Sequence, residues 1–243
     1  MARIFIGTAG WAIPREHAAA FPREGSGLQR YAAVLGATEI NSTFSRRHRV
    51  ATFERWRDSV PAAFRFAVKL PRAITHDAEL ASPRAALREF FADVQGLGEK
   101  LGPVLVQLPA SVPFELRRVG AFFRALRAIH DGPVACEPRH ASWYTDAVAA
   151  LLARHEVARV AADPPRPLAA QEPGGARSLV YHRWHGSPRR YYSTYDDARL
   201  ARLVEQIRSE PSDRTVWCVL DNTASGAAAG DALRLVARLA AAE

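Results

Sequence analysis

Cysteine is scarce in this 243-residue chain, which has only Cys136 and Cys218. Two cysteines are too few for the disulfide framework of a secreted protein, and neither has a second Cys or His at the spacing of a zinc or iron–sulfur site. No apolar run approaches the roughly eighteen residues of a membrane span, and the N-terminus lacks the apolar core of a signal peptide. The sequence therefore predicts a soluble protein of the reducing cytoplasm that does not associate with membranes.

Lysine and asparagine are nearly absent as well. The two lysines are Lys69 and Lys100 and the two asparagines are Asn41 and Asn222, although the chain has 33 basic residues and a net charge of +8. Arginine therefore supplies the charge wherever any cation suffices. A lysine that remains indicates a need for a compact ammonium or a titratable amine. The basic balance attracts anions but does not identify one.

Short apolar runs rich in β-forming residues recur eight times, and apolar residues at helical spacing separate most of them. The runs cover residues 4–7, 38–41, 64–70, 104–108, 134–137, 158–163, 179–185 and 216–221. Eight strand–helix units in about 250 residues predict a single (β/α)₈ TIM-type barrel, one domain that spans residues 1–243. Because the Pro- and Gly-rich segments 164–167 and 172–175 cannot sustain a helix, we expect the sixth helix to be shortened or replaced by a loop.

The rival architecture, a doubly wound sheet that binds a dinucleotide, lacks its motif. No G-x-G-x-x-G follows the first strand, and Trp11 stands where a dinucleotide phosphate would need room. We expect no organic cofactor. A divalent metal held by oxygen and imidazole ligands is the alternative, but Lys69, Arg139 and Arg183 at the same strand ends would repel it, and we expect no metal either.

Polar residues stand at the carboxyl ends of the predicted strands, where the active site of such a barrel lies. The residues expected to carry the chemistry are Glu39, Lys69, Glu137 and His185, because carboxylates and imidazole transfer protons and a lysine binds or attacks substrate. The residues expected to bind substrate are Thr8, Trp11, Asn41, Thr43, His76, Gln107, Arg139, Trp143, Arg183 and Asn222. Trp11, Trp143 and Trp184 all follow strand ends and can provide a stacking wall for a ring or a sugar; we expect this role for Trp11 and core packing for Trp184.

Structural roles are the alternatives for the same residues. Glu39 can belong to a buried ion pair with Lys69 or Arg183, Glu137 can pair with its neighbour Arg139, and His185 can be a hydrogen-bonded residue of the barrel. For Lys69 itself two chemical roles are open. A neutral amine would act as a base or as a Schiff-base nucleophile, whereas an ammonium paired with Glu39 or Glu137 would bind substrate, and we expect the paired ammonium.

Eight short motifs resemble the YecE-like family, which is known as domain of unknown function 72. They are GTAGW at 7–11, EINSTF at 39–44, FAVKLP at 66–71, ITH at 74–76, QLP at 107–109, EPRHASW at 137–143, RWHG at 183–186 and DNT at 221–223. The resemblance implies a TIM barrel but no particular reaction. Two departures are Ser45, where the family usually has an aromatic residue, and Asp221, where an asparagine usually precedes Asn222.

These residues together favour an enzyme, an isomerase, lyase or hydrolase, that acts on a small anionic substrate by acid/base chemistry. Lys69, Arg139 and Arg183 would bind the phosphate or carboxylate, and Asn41 and Asn222 would orient oxygens. One alternative is a nucleic-acid-binding protein or a metal-assisted phosphodiesterase, because segments 46–49 and 188–192 are rich in arginine; we expect weak binding of nucleic acid. The other is a non-catalytic adaptor that binds a ligand.

Overall fold

A computed structural model describes residues 2–241; Met1 and residues 242–243, which the single-domain prediction includes, lie outside the described residues. In this part of the chain ten strands share one sheet. They are β1 (Arg3–Ala9), β2 (Ala37–Ile40), β3 (Arg65–Lys69), β4 (Leu101–Gln107), β5 (Val134–Glu137), β6 (Val157–Arg159), β7 (Ala161–Asp163), β8 (Gly174–Gly175), β9 (Leu179–Trp184) and β10 (Thr215–Leu220). The α-helices around them are α1 (Gly27–Ala32), α2 (Val50–Asp58), α3 (Arg84–Val94), α4 (Leu116–Arg127), α5 (Asp146–Arg154), α6 (Asp197–Ser209) and α7 (Ala227–Ala240).

The sheet closes through an interrupted sixth strand. β6 and β7 are its two halves, separated only by Val160, whose N–H donates to Cys136 O at 2.9 Å. β6 pairs in parallel with β5, and β7 pairs in parallel with β9. The strand order β7-β9-β10-β1-β2-β3-β4-β5-β6 therefore begins with one half of this interrupted strand and ends with its other half, which closes the barrel. The predicted TIM-type barrel is confirmed.

The sixth helix is replaced, as the sequence predicts. Between β7 and β9 the chain forms a single 3₁₀ turn, Leu168–Gln171, and the two-residue strand β8, which pairs antiparallel with β6. Prolines on either side of the turn and two glycines after it prevent a longer helix. A cavity of ≈ 310 Å³, lined in part by His182 and Trp184, remains on the outer wall of the barrel beside this loop.

The barrel lumen is filled by a few large rings set against small residues. Trp217 stacks on Phe5, with ring centroids 5.0 Å apart, and lies parallel to Tyr181 at 6.2 Å. Alanines of β2, β3 and β5 leave room for these rings. Gly102 is needed for the same reason, because a Cβ there would lie 2.5 Å from the Trp217 ring.

Polarity changes at the carboxyl end of the lumen. Side chains alternate along a strand, so the residue two positions after an inward-facing apolar residue also faces inward. The lower positions Ala37, Ala67, Leu105, Ala135, Tyr181 and Val219 are followed in this way by Glu39, Lys69, Gln107, Glu137, Arg183 and Asp221. The last layer of the barrel is therefore charged, while the layers below it are apolar.

Candidate active site at the barrel mouth

Arg183 lies at the centre of this charged layer. Its Nε and Nη2 donate to Glu39 at 2.8–3.2 Å, and its Nη1 donates to Glu137 Oε2 at 3.0 Å. Its Nη2 also lies 3.1 Å from Asp221 Oδ2. The guanidinium is 1% exposed, so one buried cation joins three carboxylates that come from three different strands or strand ends. Tyr181 adds a hydrogen bond from its hydroxyl to Glu39 Oε2 at 2.8 Å.

His185 connects two of these carboxylates. Its Nε2 lies 2.9 Å from Glu137 Oε1, and its Nδ1 lies 2.9 Å from Asp221 Oδ2. Carboxylates accept hydrogen bonds, so both contacts form at once only when each ring nitrogen carries a proton. The ring is fully buried between two proton acceptors, which is a geometry suited to hold or transfer a proton.

The buried network of Glu39, Glu137, Arg183, His185 and Asp221 keeps Glu137 and Asp221 ionised. Burial alone would raise the pKa of Glu137, but the charges of Arg183 and His185 outweigh it and hold that pKa well below its usual range. Arg183 and His185 also outweigh the effect of burial at Asp221, so the pKa of that carboxyl is lowered too. Arg139 contributes from the solvent side, where its Nη2 lies 3.2 Å from Glu137 Oε1. Arg183 and Arg139 thus compensate the buried carboxylates, and His185 contacts two of them.

A cavity of ≈ 470 Å³ opens over this network. The cationic side chains that line it are Lys69, Arg72, Arg139, Arg166 and Arg190, and no Asp or Glu is among the described residues of its wall. A larger open groove of ≈ 830 Å³ beside α7 differs, because acidic and basic side chains both line it. The mouth cavity therefore has one sign of charge, and anions suit it.

Two of the cations in this wall have donors that the protein leaves free. Arg190 Nε is buried and has no hydrogen-bond partner among residues 2–241. Burial lowers the pKa of Arg190, and the charge of Arg139 lowers it further. Arg166 forms no ion pair within the described part of the chain. Unpaired guanidinium groups that crowd one cavity are stabilised when an anion binds between them.

Lys69 is placed differently from the expected ion pair. Its Nζ lies 4.0 Å from the centroid of the Phe44 ring, and it contacts no carboxylate within 4.0 Å among residues 2–241. Arg183 already occupies Glu39 and Glu137, so the expectation of a paired ammonium is wrong. Burial lowers the pKa of Lys69 to about 8, the Arg183 charge adds to this effect, and the more distant carboxylates oppose it.

Eight of the fourteen residues predicted for the site converge at the mouth. Lys69, His76, Gln107 and Arg139 line the cavity. Glu39, Glu137, Arg183 and His185 form the buried network next to it. His76 is held by a 2.9 Å contact between its Nδ1 and Thr75 Oγ1, and burial together with the Lys69 charge lowers its pKa.

The other six predicted residues do not line the cavity. Thr8 donates to Gly10 O, and Thr43 donates to Ile40 O and Lys69 O, so both hydroxyls stabilise the backbone near strand ends. Asn41 is half-buried after β2, and its Oδ1 has no partner in the described part of the chain.

Trp11, Trp143 and Asn222 contact other parts of the protein instead. Trp11 packs edge-to-face on Trp56 at 5.1 Å. Trp143 is fully buried, and its indole N–H donates to Val112 O, so it cannot form the predicted stacking wall. Asn222 Nδ2 donates to Asp231 Oδ2 at 2.7 Å and to Ser193 O at 2.9 Å, so its amide nitrogen is engaged within the protein.

Residues that sequence reasoning missed come from the loops. Arg166 follows the sixth strand in a segment interpreted only as a break in the helical pattern, and Arg190 and Tyr191 belong to the segment interpreted as a nucleic-acid motif. Tyr191 accepts a hydrogen bond from Arg139 at 3.3 Å, and its ring meets His185 edge-on. The signal that could have found these residues is arginine in the loops after the sixth and seventh strands.

The charged layer leaves no place for a metal at its centre. Arg183 occupies the point on which the three carboxylates converge, and a divalent cation would have to displace it. Within residues 2–241 no group of three His, Cys, Asp or Glu side chains is arranged to hold a metal ion.

Fold and site together define a TIM-type barrel with a buried carboxylate–arginine–histidine network under a cation-lined mouth. The family described as "Protein of unknown function DUF72" matches residues 5–243, and the chain belongs to this family. The UPF0759 protein YecE of Escherichia coli K12 is 30% identical over 125 residues, which are 51% of this chain and 44% of that protein. The match thus spans less than half the length of this curated relative.

Two solved structures share the fold. A DUF72 family protein from Thermotoga maritima superimposes with a TM-score of 0.81 at 24% identity, and the match covers 98% of this chain and 99% of that one. A DUF72 family protein from Enterococcus faecalis gives a TM-score of 0.81 at 22% identity and covers 98% of this chain and 95% of that one. At these identities the likeness establishes the architecture.

Proposed function

We propose that this protein is an enzyme that binds a small phosphate- or carboxylate-bearing substrate at the barrel mouth and transforms it by acid/base chemistry. The observation that carries the proposal is the cavity of ≈ 470 Å³ with five cationic side chains in its wall. Its volume suits a metabolite-sized ligand. The free cysteines, both buried, fit a reducing cytoplasm.

Lys69 and His76 are acid/base groups in the cavity wall, and burial lowers the pKa of both. Glu137 stays ionised beside His185 and contacts Arg139, which lines the cavity. Because a guanidinium does not give up its proton, Arg139 binds and stabilises negative charge and does not relay protons. A substrate anchored by the arginines would lie against Lys69 and His76. Isomerase, lyase and hydrolase chemistry all need such a group.

Nucleic-acid binding is supported less well. In the arginine-rich segment 46–49, Arg47 already pairs with Glu89 and Asp93 on the protein itself. Arg189 lies over the ring of Tyr192 at 3.8 Å. Arg166 and Arg190, which form no ion pair in the described part of the chain, line the cavity. A small anion fits this arrangement better than a polymer. A non-catalytic ligand-binding adaptor would use the same cavity, and turnover would distinguish it from an enzyme.

Phosphate binding tests the proposal. Isothermal calorimetry with inorganic phosphate, at fixed ionic strength in chloride, should show saturable binding to the wild-type protein. Arg190→Gln should weaken it at least tenfold, because a charge-assisted hydrogen bond to an anion contributes about 1.5 kcal/mol or more.

Arg117→Gln is the matched control. It removes the same charge from an exposed position on α4, away from the cavity, and should leave the affinity unchanged. Equal affinities in all three proteins, or no heat of binding at all, would show that the mouth is not an anion site.

A further inference from the structure

Lys69 presents an amine that the protein does not use for its own structure. The side chain is only 8% exposed, yet it lines the mouth cavity. Neither a hydrogen bond nor an ion pair of its Nζ is found among residues 2–241, and its contact is the face of the Phe44 ring at 4.0 Å. Buried lysines are ordinarily paired, so an unpaired one is a candidate for chemistry.

Lys100 shows the contrast within the same chain. Its Nζ donates to Arg57 O and to Val60 O, both at 2.6 Å, and so ties the chain before β4 to the segment at the end of α2. Lys100 lies outside the mouth cavity. The chain therefore has one lysine engaged in structure and one held free, and it has no third.

The surroundings of Lys69 make its neutral form more accessible than that of an ordinary lysine, although Glu39, Glu137 and Asp221 oppose this effect. Burial is the main cause that lowers its pKa to about 8, and the charge of Arg183 acts in the same direction. Near this pH about half of the amines have a free electron pair, whereas an ordinary lysine, with a pKa of about 10.4, has almost none. A neutral amine attacks carbonyl carbon.

The cations in the same wall determine which carbonyl compound fits. Arg139, Arg166 and Arg190 surround the space that Lys69 faces, and Arg190 has a buried donor without a partner in the described residues. We propose that Lys69 forms an imine with a small ketone, aldehyde or keto acid whose phosphate or carboxylate group is held by these arginines. This inference rests on the proposed function, because both need the anion site.

The step balances with the groups present. The Nζ electron pair forms a bond to the carbonyl carbon, the C=O π pair moves to oxygen, and one proton passes from Nζ to that oxygen to give a carbinolamine. A second proton, taken from solvent in the open cavity, converts the hydroxyl to water, which leaves as the nitrogen pair forms the C=N bond of the iminium, and hydrolysis reverses the sequence. The resulting iminium withdraws electrons from the neighbouring C–H or C–C bond, which is the activation that an isomerase or a lyase requires.

Reductive trapping tests the proposal on the wild-type chain. The protein is incubated separately with pyruvate, dihydroxyacetone phosphate and acetone at equal concentrations, and cyanoborohydride is added to reduce any iminium. Each adduct adds the mass of the probe less one oxygen atom. Peptide mapping then assigns it to Lys69, to Lys100 or to the N-terminal amine, and Lys100 serves as the internal control.

The expected result is an adduct on Lys69 with pyruvate or dihydroxyacetone phosphate, at least tenfold more abundant than on Lys100 and than with acetone. Lys69→Arg should abolish that adduct, and Lys100→Arg should not. The two anionic probes distinguish a carboxylate from a phosphate as the anchor. Absence of a Lys69 adduct with both, or equal labelling of the two lysines or by acetone, overturns the proposal. Phosphate calorimetry on the same preparation separates this failure from loss of the anion site itself.

Discussion

Removing Arg183 should expose the energetics of the charged layer. Arg183→Met keeps most of the volume but leaves Glu39, Glu137 and Asp221 buried with one cation fewer. Breaking a buried ion pair from one side costs about 3–5 kcal/mol, because the remaining charge has neither water nor a partner. A loss of this size lowers the melting temperature by roughly 6–20 °C in a domain of this length.

The pH dependence gives an independent estimate of that loss. A carboxylate without its cation can take up a proton, which for a glutamate of ordinary pKa, about 4.3, costs about 3.7 kcal/mol at pH 7 and about 1 kcal/mol at pH 5. The variant should therefore recover about 2–3 kcal/mol relative to the wild type when the pH falls from 7 to 5. In the wild type the folded-state pKa values of Glu137 and Asp221 are lowered, so their stabilisation is present above about pH 4 and is lost only below it.

Urea unfolding monitored by circular dichroism at pH 7 and at pH 5 measures both effects. Arg47→Met is the matched control, because Arg47 also contacts two carboxylates, Glu89 and Asp93, but is exposed at the surface. Solvent screens such pairs, and the control should stay close to the wild type at both pH values. If Arg183→Met loses no more stability than Arg47→Met, or if its deficit is as large at pH 5 as at pH 7, the network is not a compensated buried cluster and the reasoning fails.

The barrel itself could be predicted because its signals are local. Apolar runs such as residues 104–108 and 216–221 are short enough for buried strands, and each is followed by apolar residues at helical spacing. The absence of the sixth helix could be predicted as well, because prolines and glycines prevent a helix at the positions where they stand. The side-chain alternation in each strand then places Glu39, Glu137 and Arg183 at one end of the lumen.

The partners of the charged groups could not be predicted in this way. Whether Glu39 meets Lys69 or Arg183 depends on strand stagger and side-chain reach across the lumen, and the longer, forked guanidinium reaches all three carboxylates. In the same way, loop conformation determines which residues reach the cavity at the barrel mouth. Arg166 and Arg190 reach the cavity, whereas Trp143, close to a strand end in sequence, turns into the core.

Two further experiments separate binding from packing and test the charge of Lys69. Trp143→Phe should lower the free energy of unfolding by roughly 2 kcal/mol, because the side chain loses volume and its hydrogen bond to Val112 O. Calorimetry with phosphate should give an unchanged affinity, and a weakened affinity would show that Trp143 contributes to the anion site. Sulfate affinity should fall about fivefold between pH 7 and pH 9, because Lys69, with its pKa of about 8, is charged below that value and neutral above it, and one charge near the anion contributes about 1 kcal/mol at the solvated limit. Sulfate keeps its charge over this range, so the change belongs to the protein. Lys69→Arg should bind sulfate more weakly than the wild type at pH 7, because a planar fork does not fit the point that the ammonium occupies, and its affinity should be flat with pH. A wild-type affinity that is equally flat would mean that the Lys69 amine does not titrate in this window, and a decline that persists in Lys69→Arg would assign it to another group.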